Sequence, residues 1–304
     1  MADAVARHPW LAVLNPVAGG GGAARAWPAL ARALADAGVR AELAVTRAPG
    51  HASELVHDAF ERGVRRFLAV GGDGTLNEVV NGLGVRGERA AVSAAPVGTG
   101  NDWARGLGLP RRAVAIAAVL RAERRAAHDL GRVRFAVAGE TRERRFLNVA
   151  GTGYDADVLA RVPSIGPHAL RYAWAVASGL GRYPPPRCHL ACGQTRIEAP
   201  LLVAFAAIGR FCGGGVRLAP RAEAGDGLLD LVAIRALRPL AALARVPKLY
   251  LGTLAGDPAV ISDRGPSIEV EADRPVGVEA DGQLLGTTPV CFTVQQGAID
   301  AIVP

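Results

Sequence analysis

The residues best suited to chemistry lie in a glycine-rich segment, Gly71-Gly72-Asp73-Gly74-Thr75. Glycines let backbone N–H groups approach phosphate oxygens without interference from a Cβ atom, and the start of a helix adds a partial positive charge. Asp73 is unexpected there, because a carboxylate repels phosphates unless a metal ion lies between them or the carboxylate accepts a proton. The segment therefore predicts a phosphate site with metal or proton chemistry at Asp73. The alternative is a tight turn in which Asp73 only caps a helix.

The elements around this turn predict how it is positioned. An apolar strand, 66–70, precedes it, and apolar residues at helical spacing follow it from Leu76 to Leu83. A second strand, 91–95, leads into a turn from Pro96 to Asp102, and a third, 10–14, leads into Asn15, Pro16 and the glycines at 19–22. Because the carboxyl ends of parallel strands form one ligand crevice, the three loops are predicted to line one nucleotide site.

Two common nucleotide motifs do not describe this site. A P-loop needs a lysine after its second glycine, and the only lysine of the sequence, Lys248, is far from every glycine loop. No Gly-x-Gly-x-x-Gly opens a helix after the first strand in the register of a dinucleotide fingerprint.

The ordered set of motifs resembles the bacterial diacylglycerol kinase and lipid kinase family over nearly the whole chain. The motifs are Asn15-Pro16, the segment from Gly71 to Glu78, the segment from Gly98 to Asp102, Ala219-Pro220 with Asp226-Gly227, and Asp281-Gly282. That family shares its catalytic domain with sphingosine, ceramide and diacylglycerol kinases, and the glycine-aspartate core recurs in NAD kinases. The resemblance implies an ATP-dependent kinase that uses Mg²⁺ and transfers the γ-phosphate to the hydroxyl of a lipid, diacylglycerol or a related molecule.

The resemblance also assigns site residues. Nucleotide contacts are assigned to Asn15, Pro16, Thr46, Gly71, Gly72, Asp73, Gly74, Thr75, Leu76, Asn77, Gly98, Thr99 and Asn101. Asp73, Asp102 and Asp129 are linked through Mg²⁺ and water, although, for each residue taken singly, a helix cap at Asp102 and a strand end at Asp129 are the favoured interpretations. A structural Mg²⁺ is assigned to the carboxylate of Asp226 and the backbone carbonyls of Glu223 and Leu228, oxygen ligands that suit this cation. Asp226-Gly227 on its own also specifies a hairpin turn.

The sequence departs from the family at Asp281-Gly282-Gln283. Relatives usually have glutamate at the last position, assigned as the base that takes the lipid proton, and the amide of Gln283 cannot accept it. General base catalysis contributes about 10²–10⁴-fold, so the loss is large without abolishing a reaction dominated by positioning and charge.

Three hypotheses about the base are open. The base is Asp73, as proposed for the sphingosine kinase branch; or it is Asp281; or the protein binds nucleotide and lipid without turnover. We favour activity because the nucleotide motifs are otherwise intact. A soluble-substrate kinase of the NAD kinase type is a further alternative, but that resemblance stops short of the Asp226 and Asp281 segments.

The order of predicted elements divides the chain near residue 130. Strands and helices alternate before it, which predicts an α/β domain with a parallel sheet covered by helices on both faces. Strands and turns follow, with helical insertions at 169–180 and 240–251, which predicts an antiparallel β domain. The resemblance implies an NAD kinase-like first domain, a β-sandwich that holds the lipid, and an active site in the cleft between them. We expect a nucleotide-binding domain at 1–130, to which residues 295–304 return, and a lipid-binding domain at 131–294.

Composition limits the class of protein and its partners. With 304 residues, the chain is long enough for two cores, and its longest uncharged apolar run, 199–209, is shorter than the roughly 18 residues of a spanning helix. No secretory signal is evident, so we expect a cytoplasmic protein, peripheral at the inner membrane face. The four scattered cysteines predict buried thiols rather than zinc ligands.

The net charge of +7 comes almost wholly from arginine. It predicts attraction to an anionic membrane surface. We expect no nucleic-acid partner, because aromatic interleaving and binding motifs are missing. A homodimer is the other partner that we consider.

Overall fold

A computed structural model describes residues 9–84, 89–162 and 168–304. The chain divides into two compact units. Unit 1 comprises Met1–His128 and Gly297–Pro304, and unit 2 comprises Asp129–Gln296. None of the helices in the described ranges combines the length and the apolar character that crossing a bilayer requires.

Unit 1 alternates strands and helices in the order predicted from its apolar runs and glycine turns. Its elements are β1 (Trp10–Leu14), α1 (Ala18–Asp36), β2 (Ala41–Val45), α2 (His51–Glu61), β3 (Arg66–Gly71), α3 (Asp73–Gly82), β4 (Ala91–Pro96), α4 (Asp102–Gly106) and α5 (Ala113–Ala122). The strands pair in parallel in the spatial order β2, β1, β3, β4. Asp300 and Ala301 pair in parallel with β4, so the last residues of the chain add a strand to this sheet.

Both faces of the unit 1 sheet are buried. Side chains alternate between the faces of a strand. Ala12 and Leu14 of β1 pack with residues of α1 and α5 in one core cluster. Val13, which points to the other face, has no accessible surface. Such burial on both sides is typical of parallel sheets in α/β proteins.

Unit 2 is built mainly from strands, which confirms the strand-rich composition predicted for the second part of the chain. Its elements are β5 (Arg125–Val137), β6 (Glu140–Phe146), β7 (Val149–Gly153), α6 (Tyr154–Arg161), α7 (His168–Leu180), β8 (Arg187–Cys192), β9 (Thr195–Ala207), β10 (Leu229–Arg235), α8 (Pro239–Leu243), α9 (Val246–Leu251), β11 (Val260–Gly265), β12 (Ser267–Ala272), β13 (Gly277–Ala280) and β14 (Gln283–Ile302). β5 begins and β14 ends within unit 1. The pairs of β7 with β9 and β13, of β9 with β8 and β10, and of β12 with β8 and β14 are antiparallel.

Two apolar clusters form the core of unit 2. The strand cluster contains Phe146 and Phe292, whose rings meet edge to face with centroids 6.4 Å apart. The helix-side cluster gathers Tyr154 of α6 and Ala175 of α7 with residues of the strands. Adjacent residues of β9 contribute to both clusters, which shows that this strand is buried on its two faces.

Several boundaries differ from the predicted ones for identifiable reasons. Strands β6 and β7 are separated at Leu147 and Asn148, where the carboxylate of Asp281 accepts the N–H groups of Leu147, Asn148 and Val149. The helix predicted at 240–251 is two short helices, with Pro247 at the start of the second. Helix α6 and strand β11 have no counterpart among the predicted elements.

The four cysteines are free thiols. Cys188 and Cys192 are buried as predicted, whereas Cys212 and Cys291 are half-buried. Burial raises the pKa of both Cys188 and Cys192 to about 11, so these thiols are inert at neutral pH.

Candidate active site

The three loops predicted to bind nucleotide meet at the carboxyl ends of the unit 1 strands. The Asn15 side chain donates from Nδ2 to Oγ1 of Thr75 at 3.2 Å, and its backbone N–H donates to the carbonyl of Val70 at 3.1 Å. Thr46, directly after β2, is buried and donates its N–H to the carbonyl of Leu14 at 2.9 Å. The structure thus brings Asn15, Thr46 and Thr75 to one edge of the sheet, with Pro16 next to Asn15.

Glycines are required where these loops touch. A Cβ atom on Gly98 would lie 2.4 Å from Cα of Gly72, and one on Gly71 would lie 2.4 Å from Oγ1 of Thr75. A Cβ on Gly19, which has a φ of 59°, would lie 2.4 Å from the carbonyl oxygen of Val97. Any larger residue would push the loops apart. The result is a cradle of bare backbone, which we call the glycine cradle and define as Gly71, Gly72, Gly74 and Gly98.

Helix α3 begins inside the glycine cradle. Its N-cap residue is Gly72, which has no side chain to cap the first N–H groups. The first four N–H groups of a helix have no partner within the helix, and their partial positive charge favours an anion. The cradle and the helix start together fit a phosphate group.

Asp73 is the first residue of α3 and is half-buried. Its Oδ1 accepts a hydrogen bond from the N–H of Trp103 at 3.3 Å, so it connects the first glycine turn to the start of α4. The contact resembles the capping role considered as the alternative, but the capped helix is α4 rather than α3.

Asn101 has a buried acceptor that fits a ligand. It adopts the left-handed conformation, with φ 53° and ψ 45°, and its Nδ2 donates to the carbonyl of Gly98. Its Oδ1 is buried, and no donor among the described residues reaches it. Because an unsatisfied buried oxygen costs free energy, this atom suits a donor or cation of a bound nucleotide.

The other predicted nucleotide residues differ in accessibility. Thr99 is exposed at the second turn. Leu76 and Asn77 are buried inside α3, where the carbonyl and Oδ1 of Asn77 accept hydrogen bonds from Nδ2 of Asn81 at 2.8 and 3.1 Å. The side chains of Leu76 and Asn77 therefore serve the packing of α3.

Two of the predicted magnesium ligands have protein partners. The buried carboxylate of Asp102 forms an ion pair with Arg105, one turn later in α4. The carboxylate of Asp129, in β5 of unit 2, accepts from the N–H of Gly227 at 2.8 Å, and its own N–H donates to Ala224 at 2.7 Å. Asp129 thus lies within a strand and holds the 223–228 turn in place by two hydrogen bonds. Among the described residues, no cluster of three or more His, Cys, Asp or Glu side chains could hold a metal ion.

The 223–228 turn is closed by protein groups. Asp226 forms an ion pair with Arg264, and its Oδ1 accepts from the N–H of Leu228 at 3.0 Å. The carbonyl of Glu223 accepts the N–H groups of Gly225 and Asp226 at 2.8 and 3.3 Å. Arg264 thus supplies a positive charge to the Asp226 carboxylate, and the assignment of a structural magnesium ion to this turn stays a prediction.

Asp281 and Gly282 form a tight hairpin between β13 and β14 in unit 2. Their φ values of 47° and 78° are the positive values that a type I′ turn needs. The Asp281 carboxylate accepts backbone N–H groups from three consecutive residues, 147–149, at 2.8, 2.9 and 3.3 Å. Three of its roughly four lone-pair positions accept N–H groups of the fold, so this geometry does not favour Asp281 as the base. Gln283 opens β14 opposite Ala280 and is half-buried.

Two further carboxylates beside this hairpin were not predicted as site residues. Glu279 is buried in β13, and its Oε2 accepts from the N–H of Gly282 at 2.9 Å. Both carboxylate oxygens of Asp155 are inaccessible to solvent. Burial raises the pKa of Asp155 to about 7, and burial together with the neighbouring charge of Asp155 raises the pKa of Glu279 well above its usual range. The sequence does indicate this pair, because Glu279 is a charged residue within the otherwise apolar strand Gly277–Ala280.

Unit 2 also contains an open pocket of about 510 Å³ next to Gln283. Leu284 and Leu285, the two residues after Gln283, line it together with Tyr183, Arg274 and Asp157. Aliphatic and aromatic walls with a few charged groups are typical of sites for amphiphilic small molecules.

Comparisons with known proteins agree with this geometry. Residues 9–133 match the family model described as the diacylglycerol kinase catalytic domain, and residues 148–303 match the model described as the YegS C-terminal NAD kinase β-sandwich-like domain. A protein of Pseudomonas fluorescens named "Probable lipid kinase YegS-like" is 31% identical over 275 residues, which cover 88% of this chain and 87% of the relative. A protein of the same name from Pseudomonas aeruginosa is 32% identical over 281 residues, 88% and 86% of the two chains.

Solved structures show the same fold. The crystal structure of a diacylglycerol kinase from Bacillus anthracis has a TM-score of 0.74 at 22% identity and covers 97% of both chains. Yeast NADH kinase complexed with NADH has a TM-score of 0.54 at 10% identity, with 97% of this chain and 83% of the other covered. At such identities the likeness shows the fold, which confirms the predicted NAD kinase-like, two-domain organisation with a β-sandwich-like second domain.

Proposed function

Because the chain belongs to the family of YegS-like lipid kinases with a diacylglycerol kinase catalytic domain, we propose that it transfers the γ-phosphate of ATP to the hydroxyl of a lipid such as diacylglycerol. Unit 1 binds the nucleotide and unit 2 binds the lipid. The reaction takes place at an anionic membrane surface in the cytoplasm. In the transfer, the lipid oxygen loses its proton and bonds to the γ-phosphorus, while the bond from that phosphorus to the bridging oxygen of ADP breaks.

The observation that supports this proposal most directly is the glycine cradle at the start of α3. Phosphoryl transfer depends mainly on positioning and on charge stabilisation. The cradle offers backbone N–H groups to the phosphates, and the buried Oδ1 of Asn101 offers an acceptor to the nucleotide. Mg²⁺, when bound, neutralises charge on the β- and γ-phosphates. The buried Oδ1 of Asn101 is the oxygen that would hold the cation, since the carboxylate of Asp102 already has Arg105 as its partner and Asp73 is assigned to the proton.

The same geometry supports Asp73 as the base. Gln283 cannot accept a proton, and the Asp281 carboxylate is occupied by three backbone N–H groups. Asp73 lies in the cradle and has one described hydrogen bond, from the N–H of Trp103. It is therefore the carboxylate best placed to act next to bound phosphates.

The acceptor side of the proposal is supported by the pocket that begins at Leu284. Its apolar walls suit an acyl chain, and Arg274 suits the polar end of a lipid. The replacement of the family's glutamate by Gln283 favours a second candidate, a homologue that binds nucleotide and lipid without turnover.

The test is transfer of labelled phosphate from ATP to diacylglycerol, sphingosine, ceramide and phosphatidylglycerol in mixed detergent micelles, with NAD as a soluble acceptor. The decisive variant is Asp73→Asn, which keeps an acceptor for the N–H of Trp103 but removes the charge and the basicity. We expect lipid phosphorylation by the wild type and at least a 10²-fold loss in the variant, at unchanged melting temperature. The matched control is Asp58→Asn, an exposed carboxylate on α2.

Three results would contradict the proposal. Transfer to NAD but to no lipid would favour the soluble-substrate kinase. ATP binding by calorimetry without transfer to any acceptor would favour the silent homologue. Equal turnover in Asp73→Asn and wild type would remove Asp73 from the chemistry.

A further inference from the structure

Helices α8 and α9 of unit 2 have large apolar side chains in contact with water. The exposed fraction is 81% for Leu240, 68% for Leu251, 55% for Tyr250 and 39% for Leu243. We call these four residues the α8–α9 patch. Neither helix contains a buried residue, although Lys248 is the only charged residue in either of them. Four exposed apolar side chains so close together in the sequence mark an interaction surface more often than single ones do.

The helices are held to unit 2 by residues other than the patch. Leu237, Ala242 and Leu249 pack against the helix-side cluster. The buried carboxylate of Asp257 accepts hydrogen bonds from Nζ of Lys248 at 2.8 Å and from Nε of Arg245 at 3.0 Å. These hydrogen bonds lower the pKa of Asp257, and the one from Lys248 has the largest effect. The carboxylate therefore stays ionised. The patch is therefore not needed to anchor α8 and α9.

The surroundings of the patch are basic. From residue 231 to residue 256 the sequence has Arg235, Arg238, Arg245 and Lys248 and no acidic residue. Asp257 neutralises about one of these charges. Arg235 and Arg238 are exposed, and so is Arg217, whose side chain lies against Gly252 at the end of α9.

We propose that the α8–α9 patch is a docking surface for an anionic lipid bilayer. Leu240, Tyr250 and Leu251 enter the boundary between headgroups and acyl chains, and the arginines contact lipid phosphates. Both helices are far too short to span a bilayer, and a mixed apolar and basic surface is typical of interfacial binding. Tyrosine suits this depth because its ring is apolar and its hydroxyl is polar. The proposal rests on the proposed function, since a lipid kinase must take its substrate from a membrane.

Charge favours a bilayer over a second copy of the chain. A twofold dimer places the same patch against itself, so Arg235 and Arg238 of one copy would face those of the other. An anionic bilayer instead presents charges of the opposite sign, and each well-placed cation strengthens binding on the order of fivefold.

The test is flotation of the full chain with vesicles of phosphatidylcholine containing 0, 15 or 30% phosphatidylglycerol, without nucleotide or substrate lipid. We expect binding that rises with the phosphatidylglycerol content and falls between 0.1 and 0.5 M salt. Leu240→Ser with Leu251→Ser should weaken binding at least tenfold. Arg235→Gln with Arg238→Gln should weaken it by a similar factor, and both double variants should melt at the wild-type temperature because these side chains are exposed.

Matched controls are Val114→Ser, an exposed apolar residue of α5 in unit 1, and Arg142→Gln on β6, where the sequence is also rich in arginine. We expect both to bind vesicles within twofold of the wild type. A loss confined to Arg142→Gln would place docking on β6 and overturn the proposal. Vesicle binding unaffected by either double variant would also overturn it.

Sedimentation velocity tests the alternative that a second copy of the chain, rather than a bilayer, covers the α8–α9 patch. A dimer that Leu240→Ser with Leu251→Ser dissociates, with vesicle binding unchanged, would assign the patch to a second copy of the chain. The phosphotransfer assay in micelles is independent of flotation. Absent transfer with intact, patch-dependent vesicle binding would refute the proposed function and leave the docking surface standing.

Discussion

The buried pair Asp155 and Glu279 predicts that unit 2 loses stability as the pH rises. The pKa of Asp155 is raised from its ordinary value of 3.8 to about 7, with burial as the main cause. Between these values the folded protein keeps a proton that the unfolded chain releases. The stabilisation is therefore complete below pH 3.8 and is lost as the pH rises toward 7.

The size of the effect follows from the shift. Each pKa unit corresponds to about 1.4 kcal/mol, so a shift of about three units corresponds to about 4 kcal/mol between pH 4 and pH 8. Glu279 contributes in the same direction, because its pKa is raised as well and the two carboxylates titrate as a pair. Asp281 adds a nearby negative charge that raises the pKa of Glu279 further.

Glu279→Gln is the decisive variant. Its amide oxygen still accepts from the N–H of Gly282, and its NH₂ group supplies a permanent donor to Asp155. We expect the loss of unfolding free energy between pH 5 and pH 8 to fall by at least half relative to the wild type. The matched control, Glu269→Gln, removes an exposed carboxylate from β12 and should keep the wild-type slope.

Urea titrations at half-unit pH intervals, followed by circular dichroism, measure these slopes. A wild-type stability that rises from pH 5 to pH 8 would refute the reasoning, because it would mean that the folded state binds fewer protons than the unfolded one. Identical slopes in wild type and Glu279→Gln would show that the proton is held elsewhere.

Four further outcomes are expected. Gln283→Glu should leave lipid turnover within about threefold of the wild type at unchanged ATP affinity, because Asp73 takes the proton; a rise of tenfold or more would show that the base acts at position 283. Asp281→Asn should lower the free energy of unfolding by about 3 kcal/mol, because three N–H groups lose a charged acceptor; a variant as stable as wild type in urea would contradict this. Gly98→Ala should weaken ATP binding in calorimetry by at least tenfold, since its Cβ would lie 2.4 Å from Cα of Gly72; unchanged binding would mean that the cradle does not hold the nucleotide. Melting curves should show no stabilisation of the wild type by Mg²⁺ that Asp226→Ala abolishes, because Arg264 already pairs with Asp226; such a stabilisation would instead confirm the predicted structural metal.

The sequence was sufficient to predict the elements of unit 1, because local signals and tertiary structure agree there. Apolar runs of five or six residues followed by glycines specify buried parallel strands and their turns. The glycines at 71, 72 and 98 were predicted to approach phosphates, and the structure shows in addition that Gly72 and Gly98 must touch each other. That contact is between the backbones of two loops, so no pattern of side chains in the sequence predicts it.

The structural partners of the acidic residues could not be predicted in the same way. Arg264 pairs with Asp226 across 38 positions of sequence, and Asp281 takes N–H groups more than 130 positions away. The sequence of an Asp-Gly turn is the same whether its carboxylate binds a metal ion, a guanidinium or several backbone N–H groups. The exposure of Leu240 and Tyr250 could not be predicted either. Apolar residues at helical spacing indicate an amphipathic helix, but they do not show which side chains are buried in the folded protein.

The strand at the end of the chain has a consequence for biosynthesis. Residues 300 and 301 pair beside β4 in the sheet that begins with β1. Domains near the amino terminus generally fold first during translation. Here the sheet of unit 1 keeps an unpaired edge at β4 until residues 297–304 have been synthesised, after the whole of unit 2. An exposed edge strand invites pairing with other chains, so a fragment ending at His128 should aggregate where the full chain stays monodisperse.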